Sequence, residues 1–421
     1  MSLTVRILIG MAVGVLLGVG IQQSGVGSEH WLYTVVVDGV LFVGGKIFIA
    51  SLMLMVVPLV FVSLVCGASA LSDGSSMGRL GGKTLALYLA TTAAAITLAL
   101  ACALIISPGA GAHEVAPTDY TPPPAPPLTQ VLIDIFPTNP VAAMAQGNML
   151  QIIVFAILLG IAIARSGQPG ARLRAIFDDT NDVLMRLISM LIELAPYGVA
   201  CLMGKLFAEV GWQEIGKLGE YFGTVVLALV IHVTVVYPLL LVLLGRLHPL
   251  RFFAKMRQPM LVAFTTSSSG ATLPVTLRTV EHRLGVHNEV ASFAIPLGAT
   301  INMDGTAIMQ GVATVFIAQF YGIGLGVNDY LMVILTATLA SIGTAAVPGV
   351  GLVMLTMVLK QVGLPVEGIM LIIGVDRLLD MMRTAVNVTG DAMVATVVAR
   401  SEGRLDLDVF ADPAAGAGDE E

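Results

Sequence analysis

An all-α protein embedded in a lipid bilayer is what this amino-acid sequence predicts, on three observations. Of its 421 residues 56% are hydrophobic and only 12% are charged, where a soluble domain carries about 25% charged residues. Its apolar residues come in runs near or beyond the roughly 20 needed to cross a bilayer as a helix. Between residues 252 and 398 the pattern changes, and four apolar stretches are interrupted by Ser, Thr, Gly, Pro, Asn and Asp. Much of the formal net charge of −7 lies in the tail, at Asp406, Asp408, Asp412, Asp419, Glu420 and Glu421. That balance gives no reason to expect a nucleic-acid partner, and the tail reads as a solvated end.

The early spans are simple. Runs 3–21, 37–70, 84–107, 128–164, 183–210 and 218–244 each suffice to cross, and the longer ones must tilt, kink or break. The first follows Arg6 much as a signal peptide would, but it lacks a clean cleavage site and further spans follow, so it reads as a span. Cys66, Cys102 and Cys201 lie far apart inside apolar runs and read as small buried hydrophobes.

Lys and Arg favour the cytoplasmic side of short loops. Arg79 with Lys83, the group Arg165, Arg172 and Arg174, the group Arg246, Arg251, Lys255 and Arg257, Arg278 with Arg283, and Arg400 with Arg404 mark that side. The Pro-rich loop 116–127 lies in a stretch, 84–164, without Lys or Arg and reads as external, an extended polyproline linker. Both termini then face the cytoplasm, in the cell (inner) membrane.

Arg257 and Arg278 both read as cytoplasmic, yet an apolar, Ser-rich stretch with Gly270 and Pro274 lies between them. A re-entrant hairpin satisfies this where a span does not, and such backbone survives at membrane depth only when buried in protein or lining a cavity. Residues 341–351, from Ser341 to Gly351, are again small, polar and Pro-containing, and no Lys or Arg occurs from 284 to 359, so this hairpin enters from outside. Each hairpin precedes a span with polar residues at its centre. Two such halves of opposite orientation point to an inverted-repeat transporter with its site at the midplane.

The last apolar segment carries Asp376, Asp380, Arg383, Asn387 and Asp391, spaced 4, 3, 4 and 4. At helical periodicity they fall within an arc of roughly 80°. Ionisable groups at membrane depth cost at least about 2.5–3.5 kcal/mol each on insertion scales and face a cavity or a partner. An internal pair such as Asp380 with Arg383 would explain part of the stripe as packing, but not all of it. Arg383 offers a planar fork for a carboxylate, and Asp380 can receive an ammonium group. Asp391 and Asn387 supply hard oxygens that suit a bare cation such as sodium. Asn302-Met303-Asp304-Gly305-Thr306 interrupts the preceding apolar span and suggests a local break that frees backbone carbonyls. Ser267, Ser268 and Ser269 suit either small-residue packing or a carboxylate at a hairpin tip. A channel would use symmetric rings of charge or carbonyls. An intramembrane aspartyl protease would not set a fixed cation among its aspartates.

With these motifs the chain resembles the dicarboxylate/amino acid:cation symporter family, whose members include archaeal sodium-coupled aspartate transporters and eukaryotic excitatory amino-acid carriers. The likeness runs from Pro137-Thr138-Asn139-Pro140 through the Asn302–Thr306 motif to the segment Asp380-Met-Met-Arg-Thr-Ala-Val-Asn-Val-Thr-Gly-Asp391. It implies eight transmembrane helices plus two re-entrant helical hairpins, a homotrimer, and an elevator in which a transport domain slides against a static scaffold. The scaffold would take residues 1–75 and 128–215 and the transport domain 76–110 and 216–400, with 111–127 the external loop and 401–421 the acidic cytoplasmic tail. It further implies a symporter importing L-aspartate or L-glutamate with sodium, not an enzyme, with no cofactor. By residue match Arg383 binds the substrate's side-chain carboxylate and Asp380 its amino group, while Ser268, Ser269, Thr306, Val347, Pro348, Gly349, Gly351, Thr384 and Asn387 complete the pocket. One sodium site would use Gly298, Asn302, Asn387 and Asp391. A second would use Thr300, Met303, Ser341, Ile342 and Thr344, and a third Tyr88, Thr91, Thr92, Asn302 and Asp304. Asp391 and Asn302 set the chain apart from the proton-coupled bacterial branch, and Gln310 stands where the eukaryotic carriers have a proton-linked Glu. Two family arginines are absent, with Thr266 or Ser267 in place of one and Met381 in place of the other, which leaves the aspartate–glutamate preference open. The alternative is a proton- or sodium-coupled C4-dicarboxylate carrier, which Asp380 disfavours because it would then lack an ammonium partner.

Overall fold

The computed structural model describes residues 3–24, 30–31, 33–70, 75–111, 136–209, 215–341 and 349–416. Among them the fold is helical throughout, apart from a single bridge between Val286 and Leu405. A bilayer offers no partner for backbone N–H and C=O groups, and a helix satisfies them within its own segment. The Pro-rich loop and the last five residues of the tail lie outside the described residues.

Helix α1 (Leu3–Gln23) is followed by a π-helical stretch, Tyr33–Leu41, that runs into α2 (Phe42–Ala70). Then come α3 (Ser75–Ile106), α4 (Pro140–Gln146), α5 (Met149–Arg165), α6 (Gly167–Ile192) and α7 (Ala195–Glu209). Helix α4 starts where the sequence says it must: Asn139 accepts from the amides of Val141 and Ala142, and Pro140 needs no donor at the first position. Helix α8 (Ile215–Ile231) continues as one rod through a π turn (His232–Val236), α9 (Tyr237–Leu240) and a second π turn (Leu241–Gly245). Pro238 cannot donate to the ladder, and the π turns flank it on either side.

The second half is more broken. Helices α10 (Pro249–Lys255), α11 (Arg257–Thr266) and α12 (Ser269–Arg278) are followed by α13 (Asn288–Ile301), α14 (Asp304–Phe320), α15 (Val327–Ser341), α16 (Val350–Gln361), α17 (Ile369–Ser401) and α18 (Leu407–Ala411). Helices α11 and α12 pack on each other, as do α15 and α16. Ser267 ends α11 in the left-handed region (φ 51°), and Ser268, extended, caps α12 by accepting from the Ala271 amide at 3.2 Å. The chain between α15 and α16 lies outside the described residues.

The six simple runs differ from the observed helices in two places. The run 183–210 is not one helix: it is the end of α6 and all of α7, and α6 reaches back to Gly167. The front of α6 is amphipathic, with Arg174 and Asp178 paired at 3.8 Å, so a hydropathy window does not reveal it. The run 128–164 holds α4 and α5, separated at Gly147 and Asn148. Among the described residues, four helices are long and apolar enough to cross a membrane: Val5–Gln23, Tyr33–Ser51, Arg79–Ile106 and Gly216–Gly245. The remaining apolar helices are shorter, or, like α17, carry too many charges.

Packing sorts the helices into two neighbourhoods. Helix α1 lies along α7, and α2 along α5, α6 and α7. Helix α17 sits among α8, α11, α13 and α14, with α3 against α14. Where they meet, α16 touches α2 and α17 touches α7. On the basic side, Glu402 at the end of α17 takes hydrogen bonds from Lys83 and Arg79 of α3, which hold its carboxyl below the usual glutamate range. All three cysteines are free.

The α1–α7 contact depends on small residues. Gly10, Gly14 and Gly18 recur every fourth residue and face the backbone of Pro196, Ala200 and Gly204. A Cβ built on Gly14 would stand 2.4 Å from the Ala200 carbonyl oxygen, and that oxygen cannot yield. Gly14→Ile is therefore expected to cost about 1–3 kcal/mol or more by overpacking. In purified detergent-solubilised protein it should lower the thermal midpoint by several degrees, whereas Gly20→Ala, which meets nothing, should not.

Candidate functional site

The site grows from α17. Arg383 is wholly buried there, and its guanidinium is held by two carboxylates of its own helix. Nη2 donates to Asp380 Oδ1 at 2.8 Å, and Nη1 lies 2.8 Å from Asp376 Oδ1 at an angle too poor for a hydrogen bond. Asp380 Oδ2 also accepts from the Gly349 amide at 3.2 Å and meets Arg377 at 3.5 Å. Two carboxylates thus face two guanidinium groups, with Arg383 against both carboxylates and Arg377 on Asp380 alone. Nε and Nη1 of Arg383 have no hydrogen-bond partner among the described residues. Asp376, Arg377 and Asp380 of the cluster line a cleft together with Ile7, Phe48, Ala195, Val199, Gly349 and Leu352.

A second polar centre lies farther along α17, where the chain breaks between α13 and α14. Asn302 and Met303 have left helical geometry (φ/ψ −103°/96° and −123°/57°), so the carbonyls ending α13 lose their helical partners. Asn302 Nδ2 donates to Asp391 Oδ1 at 3.0 Å. Asn387 Oδ1 accepts from the Gly305 amide at 2.7 Å, and its Nδ2 reaches Thr306 Oγ1 at 3.4 Å. Gly298 lets α13 close on this point, because a Cβ there would sit 2.6 Å from both Asp391 Oδ1 and Tyr88 Oη. These donors are carboxylate, amide and backbone oxygens, the set that suits a hard cation.

Asp304 is wholly buried and is reached by four side chains. Its Oδ1 accepts from Thr92 at 2.8 Å and Thr91 at 3.3 Å; its Oδ2 accepts from Tyr237 at 2.9 Å and lies 3.2 Å from His232 Nε2. Thr91 also donates to Asn302 Oδ1 at 3.2 Å. His232 and Tyr237 come from the α8–α9 rod and were not among the residues expected at the site. A histidine inside an apolar run, with a tyrosine five residues on, is the only signal the sequence offered for them.

The expected residues divide accordingly. Tyr88, Thr91, Thr92, Gly298, Asn302, Asp304, Asn387 and Asp391 are brought together, with Thr306 beside Asn387. Gly349 and Gly351 flank Arg383 and Asp380, Gly351 lying against Arg383 Nη1. The Thr384 hydroxyl donates to the Asp380 carbonyl, and Ser341 to the Thr338 carbonyl. Ser269 and Met303 are buried, and Ser268 spends its side chain on the α12 cap. The Thr300 side chain points away, exposed, with its hydroxyl on the Leu297 carbonyl, so only its backbone is available to a cation. Ile342, Thr344, Val347 and Pro348 lie outside the described residues.

Comparison with known proteins agrees over nearly the whole chain. Residues 3–401 match the sodium:dicarboxylate symporter family. The chain is 32% identical over 411 residues to a proton/sodium-glutamate symport protein of Bacillus subtilis (strain 168), covering 96% of this chain and 93% of that one. It is 34% identical to the neutral amino acid transporter A of Bos taurus, over 84% of this chain and 75% of that one. It is 35% identical to the excitatory amino acid transporter 2 of Mus musculus, over 84% and 72%.

The Tyr237 hydroxyl joins Asp304 Oδ2 to the Val386 carbonyl, 3.2 Å away, and so ties α9 to α14 and α17. Tyr237→Phe removes that donor and leaves a buried carboxylate short of one bond, a loss of about 1–3 kcal/mol. The expected outcome is a thermal midpoint several degrees lower without loss of the folded state.

Proposed function

The chain belongs to the sodium:dicarboxylate symporter family, and from that premise we propose that it imports L-aspartate or L-glutamate together with sodium ions by an elevator motion. Membership makes it a membrane-embedded symporter and not an enzyme. The observation that carries the substrate reading is the buried Arg383 held between Asp376 and Asp380, two carboxylates that line a cleft. A guanidinium with unpaired N–H groups accepts a carboxylate in bidentate fashion. Asp380 beside it lines the cleft and can receive an ammonium group. An amino acid with an acidic side chain has both; a dicarboxylate has no ammonium group to place beside Asp380.

In this reading Asp391, Asn302, Asn387 and the carbonyls at the α13–α14 break hold sodium, and Asp304 with Thr91 and Thr92 holds a further ion. Helices α11–α12 and α15–α16 are the two re-entrant hairpins among eight spans, and both termini are cytoplasmic. The packing of α1, α2 and α5–α7 apart from α3 and α8–α17 supports a static scaffold and a sliding transport domain. A homotrimer completes the proposal. Each net positive charge carried inward gains about 2.3 kcal/mol per 100 mV, enough for more than tenfold accumulation at about 1.4 kcal/mol per decade.

The test is uptake into proteoliposomes with sodium, proton and potassium gradients imposed separately, and with aspartate, glutamate and succinate as competitors. Sodium-driven aspartate uptake is expected, abolished by Arg383→Ala and by Asp391→Ala. Full uptake by either variant refutes its assigned role. Succinate competing as well as aspartate would favour a dicarboxylate carrier.

A further inference from the structure

Helix α8 carries a buried hydroxyl with no hydrogen-bond partner among the described residues. Tyr221 on α8 is wholly buried, with its ring against Phe316 of α14 at 5.1 Å between centroids. Helix α8 packs on both α14 and α17. The hydroxyl lies within electrostatic reach of Asp376 and Arg383 but bonds to neither. A phenylalanine would fill the same space without burying an unpaired polar atom. Packing therefore accounts for the ring and leaves the hydroxyl unexplained.

The two carboxylates on Arg383 are not held alike. Asp380 accepts a well-formed hydrogen bond from Nη2 and another from the Gly349 amide. Asp376 is as near, at 2.8 Å, but is held by charge alone, and its Oδ1 has no donor among the described residues. Asp376 is thus the weaker tenant of the guanidinium. A third carboxylate arriving at Arg383 would displace it, and a buried carboxylate cannot be left without a donor.

We propose that Tyr221 is a positioning residue for substrate binding: its hydroxyl receives Asp376 when a substrate carboxylate takes over Arg383. Asp376 neutralises the guanidinium while the site is empty and passes to Tyr221 when it fills. The proposal rests on the reading of Arg383 as the substrate arginine and assigns a role to Asp376, the one member of the α17 stripe without one.

Sodium-driven aspartate uptake in proteoliposomes tests it, with Tyr221→Phe, Asp376→Asn and the double variant compared. In Tyr221→Phe, Asp376 stays on Arg383 and competes, so KM rises about tenfold while the maximal rate changes by less than about twofold. The thermal midpoint is not lowered, since the lost hydroxyl had no partner. In the Asp376→Asn background the same substitution shifts KM by less than about twofold, because the partner charge is gone. An unchanged KM in Tyr221→Phe overturns the proposal, and so does an equal shift in both backgrounds. Full uptake by Arg383→Ala sinks the reading beneath it, and the Tyr221 role with it.

Discussion

The rest of the molecule is arranged around the cost of burying Arg383 in the apolar interior. A guanidinium cannot shed its proton, so burial has to be met by partners rather than by neutralisation. The first partners come from its own helix, one turn and two turns away, as Asp380 and Asp376. Supplying two carboxylates overshoots, and the surplus has to be met in turn by the Gly349 amide and Arg377. The backbone just before α16 therefore meets α17 at the Gly349 amide. This arrangement leaves the cluster poised, since Asp376 and the free edge of the guanidinium can both be rearranged without breaking a helix.

The second polar centre solves a related problem by a different route. Asp304 is buried as deeply, but among the described residues no lysine or arginine faces it at hydrogen-bond distance. Its charge is spread over Thr91, Thr92, Tyr237 and His232, contributed by α3 and the α8–α9 rod. Neutral donors orient a carboxylate without cancelling its field, which preserves a negative centre next to the broken backbone at Asn302 and Met303. On the symport reading a cation entering there meets oxygen groups already held by their neighbours, so less ordering remains to be done on binding.

What was legible in the sequence follows from how local each signal is. The α17 stripe was legible because five polar residues at helical spacing on one segment need no partner to be noticed. The Asn302–Thr306 break was legible for the same reason, and it appears where polar residues and a glycine interrupt an apolar run. His232, Tyr237 and Tyr221 were not, because each is a single residue in an otherwise apolar span. Tyr237 meets Asp304 across 67 residues of chain and Val386 across 149. The division of 183–210 into α6 and α7 was missed because hydropathy alone cannot distinguish a span from an amphipathic helix that turns back. Asp376 was visible but could not be assigned, since its role depends on which face of Arg383 it reaches, and that is a matter of side-chain geometry.

Placing both centres on one helix has a thermodynamic consequence. Asn387 bonds to Gly305 and Thr306 on α14, midway between Arg383 and Asp391 on α17. Any ligand that pulls Asn387 or its helix face toward the anion side alters the geometry offered to a cation at Asp391 and Asn302, and the reverse holds with equal strength, because coupling between two binding sites is reciprocal. On the symport reading this is what obliges substrate and sodium to travel together. A site that admitted the anion alone would leave the carboxylates of Asp304 and Asp391 unneutralised during passage through the bilayer interior. A site that admitted sodium alone would keep Arg383 committed to Asp376 and Asp380. On that reading only the fully loaded state gives Asp391 a cation and Arg383 a substrate carboxylate at once.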